Sequence, residues 1–158
     1  MIILGDSIAA DPTDWPSQLA HDDGYILHNH AASGQRILDH IQAQADAADG
    51  ESGDFIIVAL GTNDVLPDGV EAAYLAGLQT LQSDHPAAQI YAAGILPKNP
   101  NGSRDTINAL ILSAAASAGV EYWNTDGWID PATDTYDGIH PNPVGIAKIV
   151  VQVRRLLI

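Results

Sequence analysis

The stretch Met1-Ile2-Ile3-Leu4-Gly5-Asp6-Ser7 opens the sequence, and its four apolar residues lead directly into a glycine, an acid and a hydroxyl. An apolar run that stops at Gly-Asp-Ser predicts a buried strand whose carboxyl end turns sharply. Such a turn would deliver Ser7 to the surface of a sheet, where a serine can serve as a nucleophile. Ser and Asp are also ordinary helix caps after a strand, so this stretch alone leaves both roles open.

Further short apolar runs follow along the chain, and they alternate with amphipathic or alanine-rich stretches. None of the runs alternates cleanly with polar residues, as expected for strands that are buried on both faces. The pattern predicts an α/β fold, in which helices cover both faces of a parallel sheet. The predicted strands are Ile2 to Leu4, Tyr25 to His28, Phe55 to Leu60, Ile90 to Ala93 and Val120 to Trp123.

The spacing of apolar residues, and the capping residues, glycines and prolines at the ends of each stretch, predict the helices between these strands. We expect their apolar stripes to be core packing. The residues that carry chemistry should then lie in the loops that follow the strands, because open parallel sheets bind ligands at that edge. The predicted helices run from Trp15 to Ala20, from Ile37 to Ala48, from Val70 to Leu81 and from Ile107 to Ala118, and a last one is capped by Asn142 and begins at Pro143.

Composition limits the classes of protein and partner. With 158 residues, 46% of them hydrophobic, we expect one compact domain over residues 1–158. The net charge of −14 argues against nucleic acid or an anionic membrane as a partner, and it fits either simple solubility or adaptation to high salt. Without cysteine, disulfides and thiolate chemistry are excluded. No signal peptide or membrane span is visible, so we expect a soluble, by default cytoplasmic protein. Its oligomeric state stays open.

Three more strand-exit loops carry groups that complement a serine nucleophile. Gly34 can present a backbone N–H, and Asn63 can present a side-chain N–H that does not ionise. Asp137 and His140 are three residues apart, a spacing that lets the carboxylate hold one ring nitrogen while the other faces a nucleophile. Each has a simpler interpretation alone, as a turn glycine, an Asx turn or a surface ion pair. Together they supply what an acyl-transfer site needs.

These positions resemble the sequence blocks of a known family. Gly5-Asp6-Ser7-Ile8 is similar to the first block of the SGNH hydrolases, also called GDSL lipases and esterases, and Gly34 is similar to the second. Gly61-x-Asn63-Asp64 resembles the third block, and Asp137-x-x-His140-Pro141 resembles the last. The blocks occur in the family's order and span residues 5 to 141. The resemblance implies a flavodoxin-like three-layer α/β/α sandwich with a five-stranded parallel sheet in the order 2-1-3-4-5.

The resemblance also implies a role for each matching residue. Ser7 would be the nucleophile and would donate its backbone N–H to the oxyanion. Gly34 and Asn63 would supply the other two N–H donors of the oxyanion hole. His140 would act as general base and then as general acid, oriented by Asp137. This chemistry requires no metal and no organic cofactor.

Two other motif residues, Asp6 and Asp64, are not needed for the chemistry itself. Both follow a predicted strand directly or within a few residues. Short carboxylates in such turns commonly accept hydrogen bonds from nearby backbone N–H groups. We therefore expect Asp6 and Asp64 to tie the turns of the site together.

The expected substrate is a small-molecule or glycan ester with a short acyl group, such as an acetyl ester of a carbohydrate, because so short a chain has little room for a lid. The alternatives are a lipase or thioesterase of the same family, or a non-catalytic glycan-binding or ligand-binding module on this fold. The sequence lacks the acidic pair of a phosphoacceptor receiver domain and the glycine pattern of a dinucleotide-binding domain. Candidates for substrate contact are Ile8, Leu96, Lys98, Trp128 and Tyr136.

Overall fold

The computed structural model describes residues 1–96 and 103–157. Within these residues, five parallel strands form one sheet in the order β2-β1-β3-β4-β5. Both the predicted parallel sheet and its order are thereby confirmed. The strands are β1 (Ile2–Gly5), β2 (His28–Asn29), β3 (Phe55–Ala59), β4 (Gln89–Ala93) and β5 (Glu121–Trp123).

Helices cover both faces of the sheet. Helices α3, α4 and α5 bury their apolar stripes on one face, and helices α2 and α6 bury theirs on the other. Successive residues of β1 divide between the two cores, since Ile2 and Leu4 point to the first and Ile3 points to the second. The helices are α1 (Ser7–Ala10), α2 (Trp15–Asp23), α3 (Ile37–Ala48), α4 (Val70–Asp84), α5 (Arg104–Ala118) and α6 (Pro143–Leu156).

The start of α6 agrees with the prediction in detail. The Asn142 side chain accepts hydrogen bonds from the N–H groups of Val144 and Gly145, at 3.0 and 3.1 Å. Pro143 occupies the first helical position, where its missing N–H costs no hydrogen bond. This cap fixes the direction in which the chain enters α6, and with it the loop just before the helix.

The predicted bounds of the second strand were wrong. Tyr25 to His28 was predicted, whereas β2 is only His28–Asn29. Its ladder begins where the His28 N–H donates to the Met1 carbonyl, at 2.9 Å, so Tyr25 lies beyond the end of the partner strand. Tyr25 instead packs edge-on against Phe55, with ring centroids 5.0 Å apart. In the apolar run before β2, Tyr25 and Leu27 pack partly against the core, whereas Ile26 is 77% exposed.

The short helix α1 was not predicted. Its four residues are too few to show an apolar period. The helix begins at Ser7 because the Asp6 side chain accepts the Ile8 N–H at 3.1 Å and caps it. Ser7 therefore stands at the junction between the central strand β1 and a helix turn.

No helix within residues 1–96 and 103–157 is long and apolar enough to cross a membrane.

Candidate active site

The fold brings Ser7 and His140 together across 133 positions of sequence. Ser7 Oγ lies 3.1 Å from His140 Nε2, and His140 Nδ1 lies 2.7 Å from Asp137 Oδ2. Because an ionised carboxylate can only accept a hydrogen bond, the neutral imidazole carries its proton on Nδ1 and leaves Nε2 to accept from the Ser7 hydroxyl. Two hydrogen bonds thus link a carboxylate, an imidazole and a hydroxyl, an arrangement that can move a proton from the hydroxyl to the ring.

The Asp137 carboxylate is held in its ionised form. Its Oδ1 accepts the backbone N–H groups of His140 and Ile139, at 2.8 and 2.9 Å. Hydrogen bonds from the backbone and ring of His140, together with that from Ile139, hold the pKa of Asp137 well below its usual range. Asp137 and His140 are both half-exposed, so the pair faces solvent from the loop before α6.

Asp134 ties this loop to α6. The carboxylate is buried and accepts the Lys148 ammonium at 2.6 Å and the Asp130 N–H at 2.7 Å. Its carbonyl accepts the Asn142 N–H at 2.9 Å. The same carbonyl oxygen lies only 2.2 Å from where a Cβ on Gly145 would stand, so only glycine allows α6 to approach this closely. The position of His140 relative to α6 depends on these contacts.

Asp6 joins the first and third strand-exit loops. Besides capping α1, its carboxylate accepts the N–H groups of Thr62 and Gly61, at 3.0 and 3.3 Å. Burial raises the pKa of Asp6, and the hydrogen bonds from Ile8, Thr62 and Gly61 oppose that rise. These bonds from backbone N–H groups to the Asp6 carboxylate are of the kind expected from the sequence, and Asp64 accepts a similar one.

Asp64 joins the third loop to the start of α3. Its Oδ2 accepts the Ile37 N–H at 2.9 Å, and burial raises the pKa of the carboxyl group. The carboxylate therefore satisfies a backbone donor in the first turn of α3, for which the structure shows no side-chain cap at Arg36. This contact sets the third loop beside the residues that follow β2.

Gly34 and Asn63 lie in neighbouring loops. Gly34 is exposed and has a φ of +77°, a left-handed conformation that favours glycine. Asn63 Nδ2 donates at 2.9 Å to the carbonyl of Gln35, the residue that follows Gly34. That bond uses one of the two N–H groups of the Asn63 amide and orients the other.

Gln44 supports β1, the strand that leads to Ser7, and was not found from the sequence. Its amide is buried, accepts the Gly5 N–H at 2.8 Å and donates to the Gly5 carbonyl at 2.8 Å. It also donates to the side chain of Gln35. The available signal was its spacing, because Gln44 is seven residues after Ile37 and three after Ile41, on the apolar face of α3.

One side of the Ser7–His140 pair opens into a groove with a mixed polar and apolar lining, which we call the Ser7 cleft. Tyr136, a candidate for substrate contact, lines the same groove as Ser7 and His140 and is 74% exposed. Asp14, which the sequence did not single out, also lines the groove. The polar residues of the Ser7 cleft are Ser7, Asp11, Thr13, Asp14, Gln18, Tyr136 and His140.

The other candidates for substrate contact are placed differently. Ile8, Leu96 and Trp128 line an apolar cavity between the sheet and α6, not the Ser7 cleft. Trp128 packs against Trp123 with ring centroids 6.4 Å apart, as part of the core on that face. Lys98 lies outside the described residues.

Comparison with known proteins agrees with the fold. Residues 3–148 match the model of the GDSL-like Lipase/Acylhydrolase family. A putative platelet activating factor from Streptococcus pneumonia superposes with a TM-score of 0.83 at 22% identity, covering 99% of this chain and 83% of that one. TesA superposes with a TM-score of 0.76 at 21% identity over 99% and 96% of the two chains. The psychrotrophic esterase EstA from Pseudoalteromonas sp. superposes with a TM-score of 0.75 at 15% identity, covering 99% of this chain and 97% of that one.

These identities are low, so the structural likenesses establish the shared fold. A search of curated proteins gave no significant match. The fold and the matched family model together define an SGNH-type hydrolase. The chain belongs to the GDSL-like Lipase/Acylhydrolase family.

Proposed function

We propose that this hydrolase cleaves carboxylic esters through an acyl-enzyme on Ser7. The observation that carries the proposal is the hydrogen-bonded series from Asp137 through His140 to the Ser7 hydroxyl, at 2.7 and 3.1 Å. His140 removes the hydroxyl proton as Oγ attacks the ester carbonyl carbon. The tetrahedral intermediate then expels the alcohol, which receives that proton from His140. Water, deprotonated by His140, attacks the acyl-enzyme and releases the acid and free Ser7.

In this mechanism, three N–H groups stabilise the oxyanion of the tetrahedral intermediate. They are the backbone N–H groups of Ser7 and Gly34 and the second side-chain N–H of Asn63. The bond from Asn63 to the Gln35 carbonyl supports this role, because it orients the amide beside Gly34 before substrate binds. Removal of one such donor typically raises the barrier by about 3–4 kcal/mol.

We propose esters with a short acyl group and a polar alcohol, such as acetyl esters of carbohydrates, as the substrates. The Ser7 cleft supports this choice, because its lining offers hydroxyl, amide and carboxylate groups to a hydroxylated alcohol. The exposed ring of Tyr136 adds a surface on which a sugar can stack.

A second candidate is hydrolysis of longer acyl chains, as in a lipase or thioesterase. The observation that favours it is the pair of exposed apolar side chains, Val65 and Leu66, directly after Asn63 and Asp64. An acyl chain lying on these residues would extend away from the oxyanion site along the protein surface.

The test compares wild-type protein with Ser7→Ala, using hydrolysis of p-nitrophenyl acetate and labelling by a fluorophosphonate. Both signals are expected to disappear in Ser7→Ala and to persist in Ser113→Ala, since Ser113 is an exposed serine on α5. An unlabelled, inactive wild-type protein would favour the non-catalytic binding module. A p-nitrophenyl series then separates the two substrate classes, because preference for decanoate over acetate contradicts a short-acyl site.

A further inference from the structure

Asp14 is a second carboxylate at the Ser7 cleft, and the mechanism above does not use it. It is the residue before α2, and it lines the same groove as Ser7 and His140. The residue is only 9% exposed, although it borders a solvent-filled groove. Its Oδ2 accepts the Asp11 N–H at 2.8 Å, which fixes the carboxyl group in the wall of the cleft.

Two ionisable groups act on Asp14 from the elements around it. His140, in the loop before α6, attracts the ionised Asp14 carboxylate when its ring is protonated, and Asp11, in the loop between α1 and α2, repels that carboxylate. Tyr136, from the loop before α6, also lines the cleft. Burial outweighs the hydrogen bond from the Asp11 N–H and raises the pKa of Asp14 to about 6. Asp14 is consequently ionised at neutral pH and becomes protonated on mild acidification.

We propose that Asp14 is a positioning residue that acts through His140, adding a second negative charge that stabilises the imidazolium formed while Ser7 is acylated. The inference rests on the proposed function, because it concerns the proton that His140 takes from Ser7. Asp137 holds the ring at Nδ1, whereas Asp14 lines the cleft that the ring borders, in which the substrate alcohol would lie.

The consequence is an effect that depends on pH. Above about pH 6, Asp14 is charged, and it lowers the barrier because it stabilises the positive charge that the His140 ring carries in the transition state. In more acidic solution Asp14 is neutral and offers no such stabilisation. A charge pair at this half-exposed site corresponds to a rate effect of roughly three- to tenfold.

The test measures kcat/KM of wild-type protein and Asp14→Asn for p-nitrophenyl acetate from pH 5 to pH 8. Asparagine can still accept the Asp11 N–H, so the substitution removes the charge and keeps the shape. The ratio of kcat/KM of the wild-type protein to that of Asp14→Asn is expected to be close to one at pH 5 and to rise to roughly three to ten at pH 8. The matched control is Asp84→Asn, which removes an exposed carboxylate at the end of α4, outside the Ser7 cleft, and its wild-type to variant ratio of kcat/KM should be the same at every pH.

If the ratio of kcat/KM between the wild-type protein and Asp14→Asn is the same at every pH, the proposal is overturned. A general packing defect would lower kcat/KM by the same factor from pH 5 to pH 8. An independent measurement follows the His140 ring by NMR, with its signal assigned from His140→Gln. In Asp14→Asn, the ring should lose its proton at lower pH than in the wild-type protein, and an unchanged titration would contradict the proposal. This titration does not need turnover, so a changed titration without Ser7-dependent hydrolysis would contradict the proposed function alone.

Discussion

Replacing Gln44 by leucine tests whether the buried amide holds β1, the strand that leads to Ser7, in place. The substitution removes the acceptor of the Gly5 N–H and one of the donors to the Gly5 carbonyl, both at 2.8 Å. A buried N–H without a partner costs about 1–3 kcal/mol, and the lost bond at the carbonyl adds about 1 kcal/mol. That carbonyl keeps the Ala32 N–H at 3.3 Å, so it is not left unpaired. Burial of the leucine side chain returns about 1 kcal/mol.

The net expectation is a loss of about 1–3 kcal/mol in the free energy of unfolding. In urea, with a slope of about 2 kcal/mol per molar, the unfolding midpoint should fall by roughly 0.5–1.5 M. Gln42→Leu is the matched control, because Gln42 lies on the exposed side of the same helix and binds Asp46 and Thr80 there. Equal midpoints for Gln44→Leu and Gln42→Leu would refute the reasoning. Since Gly5 is two residues from Ser7, the rate of ester hydrolysis should also fall in Gln44→Leu.

Three other measurements follow from the same contacts. Asn63→Ala should lower kcat by about a hundredfold or more with an intact circular dichroism spectrum, and an unchanged kcat would remove Asn63 from the oxyanion site. For stability, the raised pKa of Asp14, about 6, means that the folded state holds this proton more tightly than the unfolded chain does. The wild-type protein should therefore lose stability relative to Asp14→Asn as pH rises from about 4 to about 6, with little further change above that, and a pH-independent difference in melting temperature would contradict this. Finally, if the net charge of −14 reflects salt adaptation, melting temperature should rise markedly from low to molar salt, and a flat response would support simple solubility.

Much of the architecture was predictable because its signals are local. Helix α6 shows this most clearly, since Asn142, Pro143 and the apolar stripe behind them mark its start within a few residues. The buried runs likewise predicted β1 and β3, whose side chains contact both cores. The candidate residues Ser7, Asp137 and His140 were found by their places in strand-exit loops, and the structure places them in contact. Their catalytic roles remain predictions that mutation will test.

Other features depended on which residues the fold brings together. Tyr25 was assigned to a strand on its apolar surroundings, yet a strand needs a partner at the same level of the sheet, and β1 offers none there. Trp128 was a candidate for substrate contact because it is a large aromatic residue in a long loop. Its packing against Trp123 shows that aromatic composition alone does not distinguish a binding wall from a core.

By itself, the sequence determined the layered α/β architecture, most helices and the loops that carry the candidate site, because apolar periodicity, caps and short motifs act over a few neighbouring residues. Only the tertiary structure decided that Gln44 holds Gly5 and that Asp14 shares a cleft with His140. Both pairs are separated by tens of positions or more in the sequence, so burial and charge act between their members only after the sheet and its helices have packed.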